Sequence, residues 1–219
     1  MSALAPYRGL LAEGLAALGL DLRAETQDRL IAFGELLLKW NKVYNLTAIR
    51  APQEVVTHHL LDSLAVLPHL AGVARIADIG SGGGLPGIPL AIVRPDLEVL
   101  SVETVNKKAS FQQQARIELG LPNFRAENAR VEKLAPAQPF DGVISRAFSE
   151  LALFVELAGH LLVPGGRMFA MKGVYPEEEI ARLPAGWHVA ETVRLAVPGL
   201  EAERHLIILE RDGTEHKGD

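Results

Sequence analysis

Apolar positions recur at helical spacing through the first third of the chain. Leu10, Leu11, Leu15 and Leu18 form one stripe; Leu30, Ile31, Phe33, Leu37 and Leu38 form a second; Leu60, Leu61, Leu64 and Leu67 form a third. Pro52 suits the start of the third helix, and Pro68 lies near its end. Strand-like runs are absent before residue 73. From there the texture changes. Apolar runs at Arg75–Ile79, Val99–Glu103, Phe140–Ser145, Arg167–Lys172, His188–Leu195 and His205–Glu210 predict strands, with a weaker one at Asn123–Ala126. Between the earlier runs, Pro86–Val93, Lys107–Leu119 and Leu151–Leu162 predict helices. A short helix after Lys172 and two strands close together suit an antiparallel edge.

Strands alternating with helices imply an α/β fold, with a mostly parallel sheet covered on both faces. The expected organisation is a helical subdomain over 1–72, a Rossmann-like domain over 73–212 and a frayed tail over 213–219. No internal repeat or long linker interrupts it. A length of 219 residues suits one domain of about 200 residues with a small extension. The net charge is −5, so any basic surface for a nucleic acid has to be local, or a partner has to supply part of the affinity. Cysteine is absent, which excludes disulfides, thiolate metal sites and cysteine nucleophiles. The first residues hold no basic stretch followed by an apolar core, and no apolar run approaches the ~20 residues of a membrane span. The expected location is therefore cytoplasmic, with no membrane partner.

The segment Arg75-Ile-Ala-Asp-Ile-Gly-Ser-Gly-Gly-Gly-Leu-Pro-Gly87 leads from a strand through a glycine loop towards a helix. Glycines allow a sharp turn and close approach of a ligand, and the helix start offers N–H groups. Pro86 is expected in the first helical turn. Two registers compete. Gly82, Gly84 and Gly87 fit G-x-G-x-x-G, a dinucleotide pattern. Asp78-x-Gly80-x-Gly82 instead resembles motif I of the class I methyltransferases, where a carboxylate suits the ammonium end of S-adenosylmethionine. Two anions would meet if the ligand were a pyrophosphate. Glu103 closes the second strand, where an acid grips ribose hydroxyls, and serves either ligand.

Reading outward from the loop, six runs occur in order: Trp40-Asn-Lys-Val-Tyr-Asn-Leu-Thr47, His59-Leu-Leu-Asp-Ser63, Asp78 to Leu90, Phe140-Asp-Gly-Val-Ile-Ser-Arg-Ala147, Met171-Lys-Gly173 and Glu203-Arg-His-Leu206. Together they resemble the RsmG family, formerly called glucose-inhibited division protein B, over about residues 30–210. The resemblance implies a class I S-adenosylmethionine-dependent methyltransferase fold, with a seven-stranded, mostly parallel sheet and an N-terminal helical extension. It also implies methyl transfer to N7 of a guanine in 16S rRNA near the decoding centre. A small-subunit ribonucleoprotein is the expected form of that partner, and a monomer is favoured, although the residues do not set the oligomeric state. By the same resemblance Gly80 and Leu85 line the cofactor, Glu103 holds its ribose, and Val131 and Glu132 flank the adenine. Arg146 would sit at the methionine end or at the target base. The family often has Asp where this chain has Glu103, and the longer side chain still reaches.

Arg146, Lys172 and Asn45 are the candidate catalytic residues, and Asp78 and Gly82 join the expected cofactor set. Arg146 follows Ser145 at a strand end, where sites form in this architecture. Lys172 and Arg204 adjoin strands, whereas Arg8, Lys39, Lys42, Arg50, Lys107 and Lys108 are more scattered. His59 and Asp62 share a helix face but lack a third ligand, so packing or hydrogen bonding is expected of them and no metal. Trp40 and Tyr44, four apart, are expected to pack the helices onto the sheet. An NAD-dependent oxidoreductase, a non-catalytic RNA-binding assembly factor and a small-molecule methyltransferase remain as alternatives.

Overall fold

The computed structural model describes residues 2–146 and 148–213. The expected frayed tail, apart from Gly213, lies outside the described residues. Among them, seven strands form one sheet: β1 (Arg75–Ile79), β2 (Glu98–Glu103), β3 (Phe124–Asn128), β4 (Phe140–Ser145), β5 (Leu162–Lys172), β6 (Trp187–Arg194) and β7 (His205–Arg211). Their order is β3-β2-β1-β4-β5-β7-β6. The first five pair in parallel, while β7 pairs antiparallel with both β5 and β6. The parallel run with an antiparallel edge is what the residue pattern predicted, and the count of seven strands is what the resemblance implied.

Side chains alternate between faces along each central strand, as the pleat requires. Ile76, Ile144, Phe169, Leu206 and Ile208 enter one apolar cluster, and Ala77, Val143, Met168, Ala170, Ile207 and Leu209 enter the other. The second cluster is covered by α7 (Leu151–Ala158) and the turn that follows it. The first is covered by α5 (Gly87–Val93), by α6 (Asn106–Glu118) and by the N-terminal helices. These are α1 (Arg8–Ala17), α2 (Ala24–Tyr44) and a run from α3 (Pro52–Glu54) through a π-helical segment (Val55–Leu61) to α4 (Asp62–Leu64). One apolar cluster therefore runs from Leu4 through Phe33 and Val56 to Ile208, with no break near residue 72.

Local chemistry sets the boundaries. Asn45 closes α2 in the left-handed region at φ 51°, which Asn tolerates better than most residues. The helix expected from Pro86 starts at Gly87, with Pro86 one position ahead of it as the N-cap. The run Pro164-Gly-Gly166 precedes the strand expected over Arg167–Lys172. It lies inside β5, where pairing with β4 jumps from Phe140↔Leu162 to Gly142↔Arg167 and Gly165 takes φ 79°. Asn123 is not part of β3. Its side-chain amide donates to the carbonyls of Ala91, Arg94 and Leu97 at 2.9–3.1 Å, tying β3 to the end of α5.

Phe111 of α6 is fully buried and lies 6.4 Å from Phe33 and 5.6 Å from Trp40, both on α2. It joins the helical segment to the helix that covers β2 and β3. Phe111→Ala is expected to cost about 3–5 kcal/mol of folding stability. Urea denaturation checks this, and a loss below about 1 kcal/mol would mean that α2 docks by other contacts.

Candidate active site

Parallel strands gather their carboxyl ends at one edge, and the loops there form the crevice. Gly80 follows β1, Glu103 ends β2, Arg146 follows β4 and Lys172 ends β5. β7 runs the other way and its His205 pairs with Lys172, so Arg204 begins at this same edge. Three cavities lie along the crevice and share walls. The first, about 310 Å³, is lined by Ile79, Gly80, Thr104, Val131, Glu132, Phe148 and Leu157. The second, about 160 Å³, runs over Gly80, Ser81, Gly82, Gly83 and Leu85, with Thr47, His59 and Arg146 opposite. The third, about 360 Å³, is lined by His58, His59, Asp62, Arg146, Lys172 and Arg204. Gly80 belongs to the first two, and His59 and Arg146 to the last two.

The glycine loop is held from below. Gln112, which has no exposed surface, donates to Ser81 Oγ and to the Gly82 carbonyl, each at 2.8 Å. The Ser101 hydroxyl bonds to both Ser81 and Gln112. Glu103, 6% exposed, accepts the Gly82 N–H on Oε2 and the Val105 N–H on Oε1, both at 2.8 Å. Its carboxylate thus stands beside the loop at the end of β2. On the opposite side, Asn41 accepts the Thr47 N–H at 3.0 Å and donates to the Ile49 carbonyl at 3.1 Å, which fixes the loop after α2.

The predicted residues separate by position. Gly80, Gly82, Leu85, Val131, Glu132 and Arg146 all line the crevice. Asp78 does not. It has no exposed surface, and Oδ2 accepts the Gly87 N–H at 2.8 Å because the start of α5 presents that unpaired donor. Its Oδ1 has no hydrogen-bond partner. Lys172 reaches the third cavity, but its ammonium donates to the carbonyls of Phe148 and Ser149 and to Glu179 at 2.6 Å. Asn45 is exposed and accepts from Arg50 at 2.9 Å, outside the lining of the three cavities. Trp40 and Tyr44 stack 5.0 Å apart, with Trp40 packed on the core and Tyr44 40% exposed.

Sequence spacing alone assigned no site role to Asp62, although its distance from His59 marked one helix face. Asp62 Oδ2 accepts from Arg146 and Oδ1 from Arg204, each at 3.0 Å. Both carboxylate oxygens are therefore engaged by guanidinium. Among the described residues, no three His, Cys, Asp or Glu side chains cluster in a way that suits a metal ion.

A family model described as rRNA small subunit methyltransferase G matches residues 26–207. The chain is 74% identical over 211 residues to the ribosomal RNA small subunit methyltransferase G of Azoarcus sp. (strain BH72), covering 96% of this chain and 100% of that protein. It is 56% identical to the protein of the same name from Ralstonia nicotianae, covering 95% and 97%. Among solved structures, the O-methyltransferase TomG of Streptomyces achromogenes, in complex with SAM, superposes with a TM-score of 0.59 at 16% identity, covering 97% of this chain and 100% of that one. A SAM-dependent methyltransferase of Aquifex aeolicus gives 0.58 at 17% identity, covering 79% and 97%. These two likenesses show the fold.

Two buried groups, His59 at the crevice wall and Asp78 beneath the glycine loop, are shifted in opposite senses. Burial pushes Asp78 up to about 7 from 3.8, against the Gly87 N–H and the Arg146 charge, which favour the carboxylate. Burial and then the Arg146 charge push His59 down to about 3 from 6.5. The neutral ring donates from Nδ1 to the His58 carbonyl and accepts the Thr47 hydroxyl on Nε2 at 2.9 Å. Between about pH 3.8 and 7, folded Asp78 keeps a proton that the unfolded chain releases, so its contribution falls as pH rises. Between about 3 and 6.5, unfolded His59 takes a proton that the folded chain refuses, so its contribution falls as pH drops. The two offset each other where the windows overlap. Asp78→Asn is expected to leave His59 unopposed and make stability fall more steeply on acidification from pH 6.5 to 4.5. The added slope approaches one proton, or about 1.4 kcal/mol per pH unit. Denaturant titrations at several pH values check this, and parallel profiles for the two proteins would refute it.

Proposed function

The chain belongs to the rRNA small subunit methyltransferase G family, and on that premise we infer that it transfers a methyl group from S-adenosylmethionine to N7 of one guanine in 16S rRNA, near the decoding centre. The observation that carries this reading is the joined crevice, in which Arg146 and His59 form a shared wall between the glycine-loop cavity and the cavity beyond it. A donor and an acceptor bound in those two spaces would meet there.

The residues present fit the cofactor. The first cavity is a largely apolar slot of about 310 Å³ beside the glycine loop, wide enough for a purine ring against Val131, Phe148 and Leu157. Glu103 would take the ribose hydroxyls, exchanging its present backbone N–H partners for them. Gly80, Gly82 and Leu85 would lie along the methionine end, with Arg146 opposite. Asp78 acts one layer deeper by holding the start of α5. Bound S-adenosylmethionine supplies a methyl group on a positively charged sulfur, which a lone pair can accept.

Guanine N7 has an in-plane lone pair and no proton, so the site needs no general base. The side chains agree with that requirement. Arg146 stays protonated, the Lys172 ammonium is held by three internal acceptors, and the basic nitrogen of His59 faces the Thr47 hydroxyl. What the chain contributes is alignment, which is worth roughly 7–11 kcal/mol of barrier in well-oriented reactions. The glycine loop, pinned by Gln112 and Ser101, and the loop pinned by Asn41 supply a rigid frame for it.

The substrate is the RNA within a small-subunit ribonucleoprotein, and the chain acts as a monomer in the cytoplasm. A net charge of −5 fits a protein that relies on local basic groups and on the shape of its target. Among the described residues, no helix is long and apolar enough to cross a membrane.

N7-methylguanine carries a positive charge, and borohydride reduction makes its glycosidic bond labile, so aniline then cleaves the strand. Small-subunit RNA treated in this way is expected to show one enzyme-dependent break, at a guanine near the decoding centre. A methyl group found on an exocyclic nitrogen or on ribose would refute the N7 assignment. Arg146→Ala should fold, because Arg204 still pairs with Asp62, and should lose on the order of 100-fold in activity.

A further inference from the structure

Asp62 is a buried carboxylate, 3% exposed, with a guanidinium on each oxygen. The two arginines come from distant parts of the chain, Arg146 from the end of β4 and Arg204 from the residue before β7, and meet only through Asp62. Each is about a quarter exposed, at 25% and 26%, and both line the third cavity. Arg146 Nη1 also donates to the His58 carbonyl, and Arg204 Nη1 to the Glu203 carbonyl. Among the described residues, Nη2 of each has no hydrogen-bond partner.

The charges at this wall do not balance. Lys172 is met by Glu179 at 2.6 Å, whereas Arg146 and Arg204 share the single Asp62. One positive charge is left over beside a cavity of about 360 Å³. Burying a carboxylate with its partners costs desolvation that an apolar trio would avoid, so packing alone does not account for the cluster. Two guanidiniums held at a fixed spacing by one carboxylate present N–H groups suited to an oxyanion of single negative charge. The chemistry of a phosphodiester matches in both charge and donor need.

We propose that the Arg146–Asp62–Arg204 cluster seats one backbone phosphate of the RNA next to the target nucleotide, and that Asp62 is the positioning residue that spaces the two guanidiniums. The proposal rests on the rRNA methyl-transfer reading above. Seating a phosphate there cancels the excess charge of the wall. The guanine ring, which becomes cationic on methylation, then does not face an uncompensated guanidinium pair. The rival anion for the same seat is the methionine carboxylate of the cofactor, and the two make different demands on Arg204.

The test uses the full chain, small ribosomal subunits from cells lacking this methylation, and S-adenosylmethionine binding followed by calorimetry. Arg204→Ala should bind the cofactor within about twofold of the unaltered protein and lose on the order of tenfold in kcat/KM on the subunit. Its plot of log kcat/KM against log salt should be shallower by about 0.7–0.9, the value of one phosphate contact. Arg204→Lys should restore the slope, which reads charge, and little of the rate, which reads the planar fork. Asp62→Asn should keep the slope, because both cations remain, and lower kcat/KM per folded molecule. An unchanged slope in Arg204→Ala, or a loss of cofactor affinity in its place, would overturn the phosphate seat. So would activity losses that merely follow the fraction unfolded in melting curves. Absence of methylation by the unaltered protein would overturn the rRNA reading and the seat with it.

Discussion

The sheet face that carries Ile76, Ile144, Phe169 and Leu206 has to be kept from water, and the rest of the molecule depends on what covers it. Helices α5 and α6 cover part of that face, and the N-terminal helices complete the apolar cluster. This cover does more than exclude solvent. It carries the loop after α2 and the π-helical segment to the carboxyl edge of the sheet, so Thr47, His58, His59 and Asp62 come to stand beside Arg146. An enzyme-like crevice results from the same burial that stabilises the fold.

Polar groups drawn into this cover are handled in three ways. Asn41, Gln112 and Asn123 are satisfied by hydrogen bonds that tie loops to neighbouring elements. His59 and Asp78 are held away from their usual protonation states by burial, one kept neutral as a base and the other drawn towards the neutral acid. Asp62 keeps its charge company with two guanidiniums. His59 and Asp62 line the crevice and Asp78 lies beneath its glycine loop, which sets this edge apart from the sheet's opposite edge. Another cavity, about 720 Å³, lies at that opposite edge, among the amino ends of β2, β3 and β4. The crevice, and not that hollow, sits where β1 and β4 deliver Gly80 and Arg146.

Much of the fold was legible in the residue pattern. β1 and β4 begin and end where the apolar runs do, because central strands buried on both faces are nearly continuous in apolar residues. The edge strand β3 was shifted by two residues at its end. It is half-exposed and charged, and Asn123, which looks strand-like, caps α5 instead. At Pro164-Gly-Gly166 composition signals a turn, yet β4 on one side keeps the segment in the sheet as an irregularity. Local propensity is a weak prior where a neighbouring strand supplies the hydrogen bonds.

The sequence by itself determined the alternation of strand and helix, the glycine loop after β1 and the residues that end β1, β2, β4 and β5, because each is a short-range property of a few neighbouring side chains. It did not determine which carboxylates would face the crevice. Asp78 and Glu103 read alike as acids at the ends of adjacent strands, but the start of α5 draws Asp78 under the loop while Glu103 stays beside it. Nor did it assign Lys172 to Glu179 or bring Arg204 and Arg146 onto Asp62. Those pairings join parts of the chain far apart in sequence, and only the antiparallel turn of β7 and the docking of the N-terminal helices decide them. Spacing along a chain carries no record of contacts that packing alone creates.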